Sequence, residues 1–248
     1  MIESLGGISL GNECARIISR CKPSLRDEAL PCYVRVMRQE DIAQVAEIDR
    51  EAFPTMWPPA NYRHELENRL AHYIVACDES KTVERTEAKS MPEKGISRLA
   101  SRVRYLFSYE RFLGTQMPPS GKEYVAGFAG IWVMADEAHL TNIAMRKLYQ
   151  RQGIGELLLI SVIDLARELN ARFVTLEVRA SNAAAQSLYY KYGFSQVGVR
   201  RGYYTDNHED AVLMSTGNIS SAPFQAQFQQ LKQAHSIKWG IALYQIAH

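Results

Sequence analysis

The most constraining feature of the chain is a strand–helix–strand run between residues 138 and 178. AHLTNIAM (138–145) and RFVTLEV (172–178) predict strands, and the helix between them, which extends to residue 169, is apolar on most sides. A helix of that kind packs against a sheet. Strands joined by a helical crossover run parallel within one sheet. The run therefore predicts an α/β fold with parallel pairing near Glu177.

Further strands and helices surround this run. The other segments that predict strands are YVRVM, HYIVAC, EYVAGFAGIWVM, FSQVGVR and AVLMST. Helical spacing predicts helices at 41–53, at about 60–71 and at 182–192. Asp41 is the expected cap of the first helix, and Gly193 closes the last. This order of elements predicts a mixed central sheet flanked by helices.

The pattern also divides the chain into segments. Residues 1–31 show no sustained periodicity and are expected to form a loose N-terminal extension. Residues 32–216 contain all the predicted strands and form the expected domain, with an insertion at about 79–122. The tail, 217–248, is glutamine-rich and then apolar, which fits either a helix packed on the domain or a segment that binds a partner.

The insertion contains a basic amphipathic segment, ISRLASRVRYLF (96–107). Its apolar residues share one helical face, namely Ile96, Leu99, Val103 and Leu106. Its arginines lie elsewhere on the helix. The segment fits two roles equally: docking on the ribosome, RNA or another acidic partner, or covering the edge of the sheet.

Composition excludes several classes of protein. The chain has 29 Lys and Arg against 27 Asp and Glu, so its net charge of +2 does not favour nucleic-acid binding. No apolar run approaches the roughly 18 residues of a membrane span. The N-terminal residues lack an apolar signal core, so a cytoplasmic location is expected. The four cysteines and six histidines lack metal-site spacing, so we expect reduced thiols and no metal.

The segment QRQGIGELLL (150–159) places two glycines directly before a helix. Glycines remove Cβ atoms where an anion would approach, and the first N–H groups of a helix point outward at its positive end. Arg151 adds a positive charge. The segment lacks the Gly-Lys-Ser/Thr of a P-loop and the third glycine of a dinucleotide fingerprint. By itself it predicts either an anion site or a turn without a ligand.

Downstream, the chain reads LEVRASNAAAQSLYYKYGF (176–194), RRGYY (200–204) and EDAVLM (209–214). Together with NIA and YQRQGIG, these motifs resemble the GNAT acetyltransferases. They resemble more closely the RimI-type enzymes, which acetylate the N-terminal alanine of a small-subunit ribosomal protein. The resemblance is dense from about 137 to 216 and looser from 33 to 77. It implies the GNAT fold, in which two parallel strands splay apart at the acetyl-CoA site.

The resemblance also implies contacts with acetyl-CoA. The R/Q-x-x-G-x-G/A turn would hold the pyrophosphate, and the strand ending in NIAM would offer backbone groups to the pantetheine arm. Asn182 would contact the cofactor and cap its own helix. The residues expected to bind acetyl-CoA are Ile143, Ala144, Met145, Arg151, Gln152, Gly153, Ile154, Gly155, Glu156 and Asn182.

Two titratable residues are the candidates for catalysis. An α-amine has a pKa near 8 and a lysine one of about 10.4, so deprotonation at neutral pH costs lysine roughly 3 kcal/mol more. A carboxylate base can therefore serve an N-terminal amine. Strand alternation places Glu177 on the face opposite Val174, Leu176 and Val178. The resemblance implies Glu177 as the proton acceptor and Tyr189 as the acid that protonates the departing sulfur.

The residues expected to form the acceptor groove are Trp57 of FPTMWPP with Tyr203 and Tyr204 of RRGYY. Glu209 and Asp210 are expected to pin an arginine of RRGYY, Arg200 or Arg201, rather than to contact a peptide. Met-Trp-Pro at 56–58 departs from the Pro-Trp-Ser pattern usual in the family. This departure leaves the identity of the acceptor open.

Three functions fit the sequence. The predicted one is a peptide α-N-acetyltransferase that uses acetyl-CoA and acts on a protein N-terminus, with a ribosomal protein as the expected substrate. The second is a GNAT enzyme acting on lysine or a small-molecule amine, and a strongly acidic groove would favour a polyamine. The third is a non-catalytic acetyl-CoA-binding module, which loss of Glu177 or Tyr189 would favour. Both residues are present and the charge is balanced.

Overall fold

The computed structural model describes residues 32–54, 60–83 and 122–240. These residues form one seven-stranded sheet with helices on both faces. The strands are β1 Cys32–Val36, β2 Ala71–Val83, β3 Lys122–Met134, β4 Glu137–Met145, β5 Phe173–Arg179, β6 Phe194–Tyr204 and β7 Glu209–Thr216. The helices are α1 Ile42–Ala52, α2 Tyr62–Glu67, α3 Ile154–Glu168, α4 Ala183–Lys191 and α5 Ala222–Trp239.

The sheet has the order β1-β2-β3-β4-β5-β7-β6. Strands β4 and β5 are parallel, and the other five pairings among the described strands are antiparallel. Helix α3 connects the parallel pair, as the crossover pattern predicts. The expected mixed α/β sheet with parallel pairing near Glu177 is therefore confirmed.

Strands β4 and β5 pair along only part of their length. Their register begins with Glu137 opposite Phe173 and ends with Leu140 opposite Leu176. Beyond that point β4 stays paired with β3 as far as Met145, and β5 stays paired with β7 as far as Arg179. The two strands diverge because each follows its outer neighbour. The expected splay of the parallel strands is confirmed.

Two apolar clusters cover the two faces of the sheet. Helix α3 packs on one face, and its residues from Leu157 to Ala166 are all buried. Helices α1 and α2 cover the other face through Val45, Ile48 and Tyr62. The burial of β5 alternates along the strand, so Glu177 lies on the face opposite Leu176 and Val178, as expected.

The C-terminal segment contains helix α5, which packs along α3. The Phe228 side chain is buried, with its ring centroid 6.3 Å from that of Tyr192. Lys232 Nζ lies 2.5 Å from an Asp164 carboxylate oxygen of α3. Of the two alternatives for the tail, the packed helix is the one observed for 222–239. Residues 241–248 lie outside the described part of the chain.

Three local expectations differ from the structure. Asp41 does not cap α1 through its side chain, because its carboxylate accepts hydrogen bonds from the buried Arg35 guanidinium at 2.7 and 2.9 Å. A buried arginine requires such a partner. Helix α2 ends at Glu67, short of the expected 71. Strand β2 continues to Val83, five residues into the predicted insertion.

Several predicted segments lie outside the described residues. They include the N-terminal extension, 1–31, and most of the insertion, 84–121, with its basic segment 96–107. The division of the chain at residues 32 and 216 stays a prediction. In the described ranges, no helix has both the length and the apolar character needed to cross a bilayer.

Candidate active site

A cavity of about 700 Å³ lies where β4 and β5 part. Its walls come from the middle of β4, the end of β5, the end of α1, both ends of α4, and the β6–β7 hairpin. The wall residues that matter below are Ile143, Glu177, Asn182, Tyr189, Tyr203 and Tyr204. Because β4 and β5 are unpaired here, strand divergence itself creates the cavity.

The Glu177 carboxylate is held from two sides. Its Oε2 lies 3.0 Å from His139 Nε2, and its Oε1 lies 2.9 Å from Arg200 Nη1. The Glu177 side chain is only 11% exposed, whereas that of Arg200 is 54% exposed. Such a carboxylate has a fixed orientation toward the cavity and can accept a proton there.

His139 links Glu177 to residues nearer the surface. Its Nδ1 lies 2.9 Å from Thr175 Oγ1, and that hydroxyl donates to Glu137 Oε1 at 2.6 Å. His139 therefore bridges Thr175 and Glu177 through its two ring nitrogens. The result is a continuous hydrogen-bonded path from the cavity to the exposed Glu137.

Tyr189 lies in α4 and is 6% exposed. Its ring packs against Phe194, with centroids 5.6 Å apart. Burial, and secondarily the nearby Tyr204, raise the pKa of Tyr189 above the ordinary tyrosine value. The hydroxyl therefore keeps its proton at neutral pH and can donate it into the cavity that it lines.

Asn182 both caps α4 and lines the cavity. Its side-chain oxygen accepts a hydrogen bond from the Ala185 N–H at 3.1 Å, which caps α4. The same residue lines the cavity. The capping role is thus observed, and the place of the residue is compatible with a ligand contact.

The β6–β7 hairpin is fastened to β5 by Arg179. The Arg179 guanidinium carbon lies 3.9 Å from the ring centroid of Tyr204, and its nitrogens reach Asp206 at 2.9 Å and Glu209 at 3.2 Å. Glu209 also accepts the Ser181 N–H at 2.7 Å. Hydrogen bonds from Ser181, and then those from the other partners, lower the pKa of Glu209 to about 2.

These contacts correct one expectation. The acidic pair was expected to pin Arg200 or Arg201, and this was wrong. Glu209 binds Arg179, and Asp210 accepts the Gly202 N–H at 2.8 Å. Arg200 instead reaches across β7 to Glu177, because β7 lies between β6 and β5 in the sheet.

The glycine turn lies at the start of α3. Gly153 has φ +86°, a left-handed conformation that favours glycine, and it precedes the first helical residue. A Cβ on Gly155 would lie 2.7 Å from the Met145 side chain, so this glycine lets α3 approach the end of β4. The turn, 151–156, is not among the residues that line the cavity, and neither are Ala144 and Met145.

The Glu156 side chain is engaged within the protein. Its Oε1 accepts from Lys191 Nζ at 2.5 Å and from the Tyr192 hydroxyl at 2.7 Å. Burial acts to raise the pKa of Glu156, but these two hydrogen bonds outweigh it and the pKa is lowered. The carboxylate is therefore ionised at neutral pH, and Lys191 offsets its charge.

Two further expectations concern Trp57 and a metal site. Trp57 lies outside the described residues. Within the described ranges, no cluster of three or more histidine, cysteine or acidic side chains is arranged to hold a metal ion.

His139 and Arg200 are the contacts of Glu177 that the sequence did not reveal. The alternation of β5 places Thr175 and Glu177 on one face. The parallel register sets His139 opposite Thr175, hence on that same face. Sequence alternation could have found His139 only with the register of β4 against β5 already known.

Comparison with known proteins identifies the family. Residues 83–194 match the model of the Acetyltransferase (GNAT) family. A Bacillus subtilis (strain 168) protein, provisionally named a ribosomal protein bS18-alanine N-acetyltransferase, is 36% identical over 182 residues, which are 73% of this chain and 92% of that protein. The chain belongs to the GNAT acetyltransferase family. GNAT acetyltransferases use acetyl-CoA, so the predicted cosubstrate is confirmed at the level of the family.

Two further matches agree with a GNAT assignment. The ribosomal protein bS18-alanine N-acetyltransferase of Escherichia coli (strain K12) is 47% identical over 108 residues, 43% of this chain and 72% of that one. The crystal structure of the S18-alanine N-acetyltransferase from Escherichia coli superposes with a TM-score of 0.50 at 26% identity. It covers 75% of this chain and 94% of that chain. The predicted GNAT fold is confirmed.

Proposed function

We propose that this GNAT enzyme acetylates the N-terminal α-amine of a protein, and that its substrate is the N-terminal alanine of a small-subunit ribosomal protein. The observation that carries the proposal is that Glu177 and Tyr189 line one cavity at the parting of β4 and β5. The names of the relatives from Bacillus subtilis and Escherichia coli support the choice of acceptor. A ribosomal acceptor makes the ribosome a partner and the cytoplasm the place of reaction.

In this proposal, Glu177 and Tyr189 handle the two protons of acetyl transfer. Glu177 accepts the proton that the attacking amine loses, directly or through a water molecule. As the new C–N bond forms and the thioester C–S bond breaks, Tyr189 donates its hydroxyl proton to the departing sulfur. The raised pKa of Tyr189 keeps that proton in place until negative charge develops on the sulfur.

His139 and Arg200 orient the proposed base. Their two hydrogen bonds occupy different oxygens of Glu177, so the carboxylate cannot rotate away from the cavity. The path through His139 and Thr175 gives the accepted proton a route to the surface. An α-amine loses its proton more readily than lysine does, so it makes the smaller demand on a carboxylate base.

The proposed acetyl-CoA contacts rely on backbone groups. Beyond Leu140, the edge of β4 that faces β5 no longer pairs with β5, so backbone groups of Ile143 to Met145 suit the pantetheine arm. The first N–H groups of α3 have no intrahelical acceptor and suit the pyrophosphate. Arg151 and Gln152 precede them, and Lys191 offsets the charge of Glu156. Asn182 is the proposed contact from α4.

The proposed acceptor groove lies at the mouth of the cavity. Tyr203 and Tyr204 form the hairpin side of it, and Phe53 and Pro54 at the end of α1 also line the cavity. Tyr203 is 44% exposed, so its ring is available to a peptide. Trp57, three residues beyond Pro54, remains a proposed contact on the α1 side.

The test is acetyl-CoA turnover with two peptides. One carries a free N-terminal alanine, and the other has the same sequence with a blocked α-amine and a free lysine. We expect turnover of the first alone, and a loss of about a hundredfold or more in kcat for Glu177→Gln and for Tyr189→Phe. Glu67→Gln and Tyr190→Phe are matched controls and should retain wild-type rates.

Each alternative has its own outcome in this test. Turnover of the lysine peptide alone would overturn the α-amine proposal in favour of a lysine acetyltransferase. Tight acetyl-CoA binding without turnover of either peptide would favour a binding module. Full activity in both Glu177→Gln and Tyr189→Phe would remove these residues from the chemistry.

A further inference from the structure

Helix α5 ends against the glycine turn. His235 Nε2 lies 3.0 Å from the Gly153 carbonyl oxygen. Four residues later on the same helical face, the Trp239 indole lies where a Gly153 side chain would be, with Nε1 2.6 Å from an ideal Cβ. Helix α5 begins at Ala222, beyond the residues 83–194 that match the family model. Two side chains from outside that matched region therefore contact the turn.

The His235 contact determines the direction of a backbone N–H. A carbonyl oxygen only accepts, so Nε2 carries the hydrogen of this bond. The peptide unit is planar, and its C=O and N–H point in opposite directions. A hydrogen bond that holds the Gly153 carbonyl therefore also holds the Ile154 N–H. That N–H belongs to the first residue of α3 and has no acceptor within the helix.

The surroundings of His235 hold its ring in place beside Gly153. The residue is 2% exposed, and the Gly153 carbonyl that it contacts also accepts the Leu157 N–H of α3 at 2.9 Å. Burial lowers the pKa of His235, although Gly153 and Glu156 oppose the shift. The ring is therefore neutral at neutral pH and brings no positive charge to the turn.

The Trp239 indole restricts the turn from a second side. Gly153 has a positive φ, a conformation that would otherwise exchange readily with others. The indole fills the space beside its α-carbon, and the rings of His235 and Trp239 lie 6.5 Å apart. The buried Nε1–H of Trp239 has no acceptor among the described residues. Packing of the ring, not a hydrogen bond, connects it to the turn.

We propose that His235 and Trp239 are positioning residues for acetyl-CoA, which hold the glycine turn so that its N–H groups face the diphosphate of the cofactor. The inference rests on the proposed use of this turn as the diphosphate site. It assigns to α5 a role in cofactor affinity that acts through Gly153 and Ile154, without contact with the reacting atoms.

A purely structural role of α5 predicts something different. The helix also covers α3 through Phe228 and Lys232. If that were its whole contribution, loss of the His235 contact would affect every acyl donor alike. A positioning role affects only donors that carry the diphosphate. S-acetylpantetheine has the thioester and the pantetheine arm of acetyl-CoA but lacks the diphosphate, so it separates the two roles.

The experiment compares kcat/KM for acetyl-CoA and for S-acetylpantetheine in the full chain. His235→Leu should lower kcat/KM for acetyl-CoA about threefold to tenfold through KM, the worth of one net hydrogen bond. The same variant should leave S-acetylpantetheine unchanged. His235→Gln retains a side-chain N–H donor and should restore most of the loss. Trp239→Leu, which uncovers Gly153, should resemble His235→Leu.

Gln225→Ala is the matched control on the same helix. Gln225 bonds to Arg167 and to the Ile219 carbonyl at the far end of α5. Its replacement should weaken the docking of α5 without changing the preference between the two donors. Equal loss for both donors in His235→Leu, or an equal change of preference in Gln225→Ala, would overturn the proposal.

The donor preference of the wild-type enzyme distinguishes failure of the diphosphate site from failure of the positioning role. If it uses both donors with equal kcat/KM, the turn is not a diphosphate site, and the proposed use of the turn fails. If it prefers acetyl-CoA strongly and His235→Leu and Trp239→Leu keep the full preference, only the positioning role fails.

A measurement on the wild type alone gives a second test. Coupling between two sites is reciprocal, so if α5 strengthens cofactor binding, the cofactor must strengthen the docking of α5. Coenzyme A should therefore slow amide hydrogen exchange in the last turn of α5, and pantetheine should not. Equal exchange rates with and without coenzyme A would contradict the proposal.

Discussion

Arg179 connects three parts of the site through one side chain. It is the last residue of β5, two residues after Glu177, and its guanidinium packs over Tyr204 while pairing with Asp206 and Glu209. A surface ion pair contributes little by itself. This guanidinium differs because it combines two carboxylates with an aromatic face, which lysine cannot reproduce. Its contacts set the hairpin wall of the cavity.

The prediction at this residue concerns the acceptor rather than the cofactor. Arg179→Met keeps the length of the side chain but loses the charge, so the hairpin should loosen. We expect the KM of the peptide to rise about threefold to tenfold while the KM of acetyl-CoA stays the same. Initial rates at varied peptide and saturating acetyl-CoA measure this. Arg172→Met serves as the control, because it removes an exposed arginine whose ion pair with Asp136 spans 3.6 Å, away from the hairpin.

Recovery of activity in Arg179→Lys would argue against this account. Lysine restores the charge but neither the planar contact with Tyr204 nor two simultaneous carboxylate bonds. A peptide KM that is unchanged in Arg179→Met would show that the hairpin does not depend on this guanidinium.

At the scale of elements, the sequence pattern correctly predicted those features that depend only on residues close together in the chain. Alternation in RFVTLEV placed Glu177 on the correct face, and the glycines of QRQGIG marked the start of α3. The contacts of Glu177 depend instead on register across three strands. Arg200 is 23 residues from Glu177 in the chain and reaches it across β7. A pattern of neighbouring residues does not reveal a contact between positions so far apart in the chain. Asp41 failed as a cap for the same reason, since its partner Arg35 belongs to another element.

Two glycines that pack against the end of β4, Gly127 of β3 and Gly155 of α3, should differ in how much an alanine substitution destabilises the fold. A Cβ on Gly127 of β3 would lie 2.8 Å from the Ala144 carbonyl, and backbone cannot move aside cheaply. On Gly155 the obstacle is the flexible end of Met145. Gly127→Ala should therefore lower the free energy of unfolding by about 1–3 kcal/mol, and Gly155→Ala by less than about 1 kcal/mol.

Urea unfolding at neutral pH measures these free energies. Gly217→Ala is the control, because no described residue other than its two chain neighbours comes within 4 Å of its ideal Cβ. Its effect should stay within about 0.5 kcal/mol. Equal destabilisation by Gly127→Ala and Gly155→Ala would show that the end of β4 is softer than its packing indicates.

At the scale of the whole molecule, buried neutral acids make stability depend on alkaline pH. Burial raises the pKa of Cys32, Cys77, Tyr149 and Tyr204 to about 12, from ordinary values of 9.0 for thiols and 10.0 for phenols. Above the ordinary values, the unfolded chain loses these protons while the folded chain retains them. The unfolded state then binds fewer protons, so the free energy of unfolding falls as pH rises.

We expect this fall to begin near the ordinary thiol value and to continue to about pH 12. Stability from these groups is fully present below the ordinary values. Urea unfolding at about pH 8 and about pH 10.5 should differ by at least about 1 kcal/mol. A free energy of unfolding that stays constant across this range would contradict the prediction.

Helix α3 has one further consequence, for the solubility of shortened forms. The sheet covers one side of this helix, and α5 packs beside it, with Phe224, Phe228 and Leu231 in the same apolar cluster. A chain cut after Thr216 would keep the seven described strands and both proposed catalytic side chains, yet it would expose an apolar stripe of α3 to water. Such a form should self-associate as its concentration rises. We therefore expect α5 to limit aggregation of this enzyme.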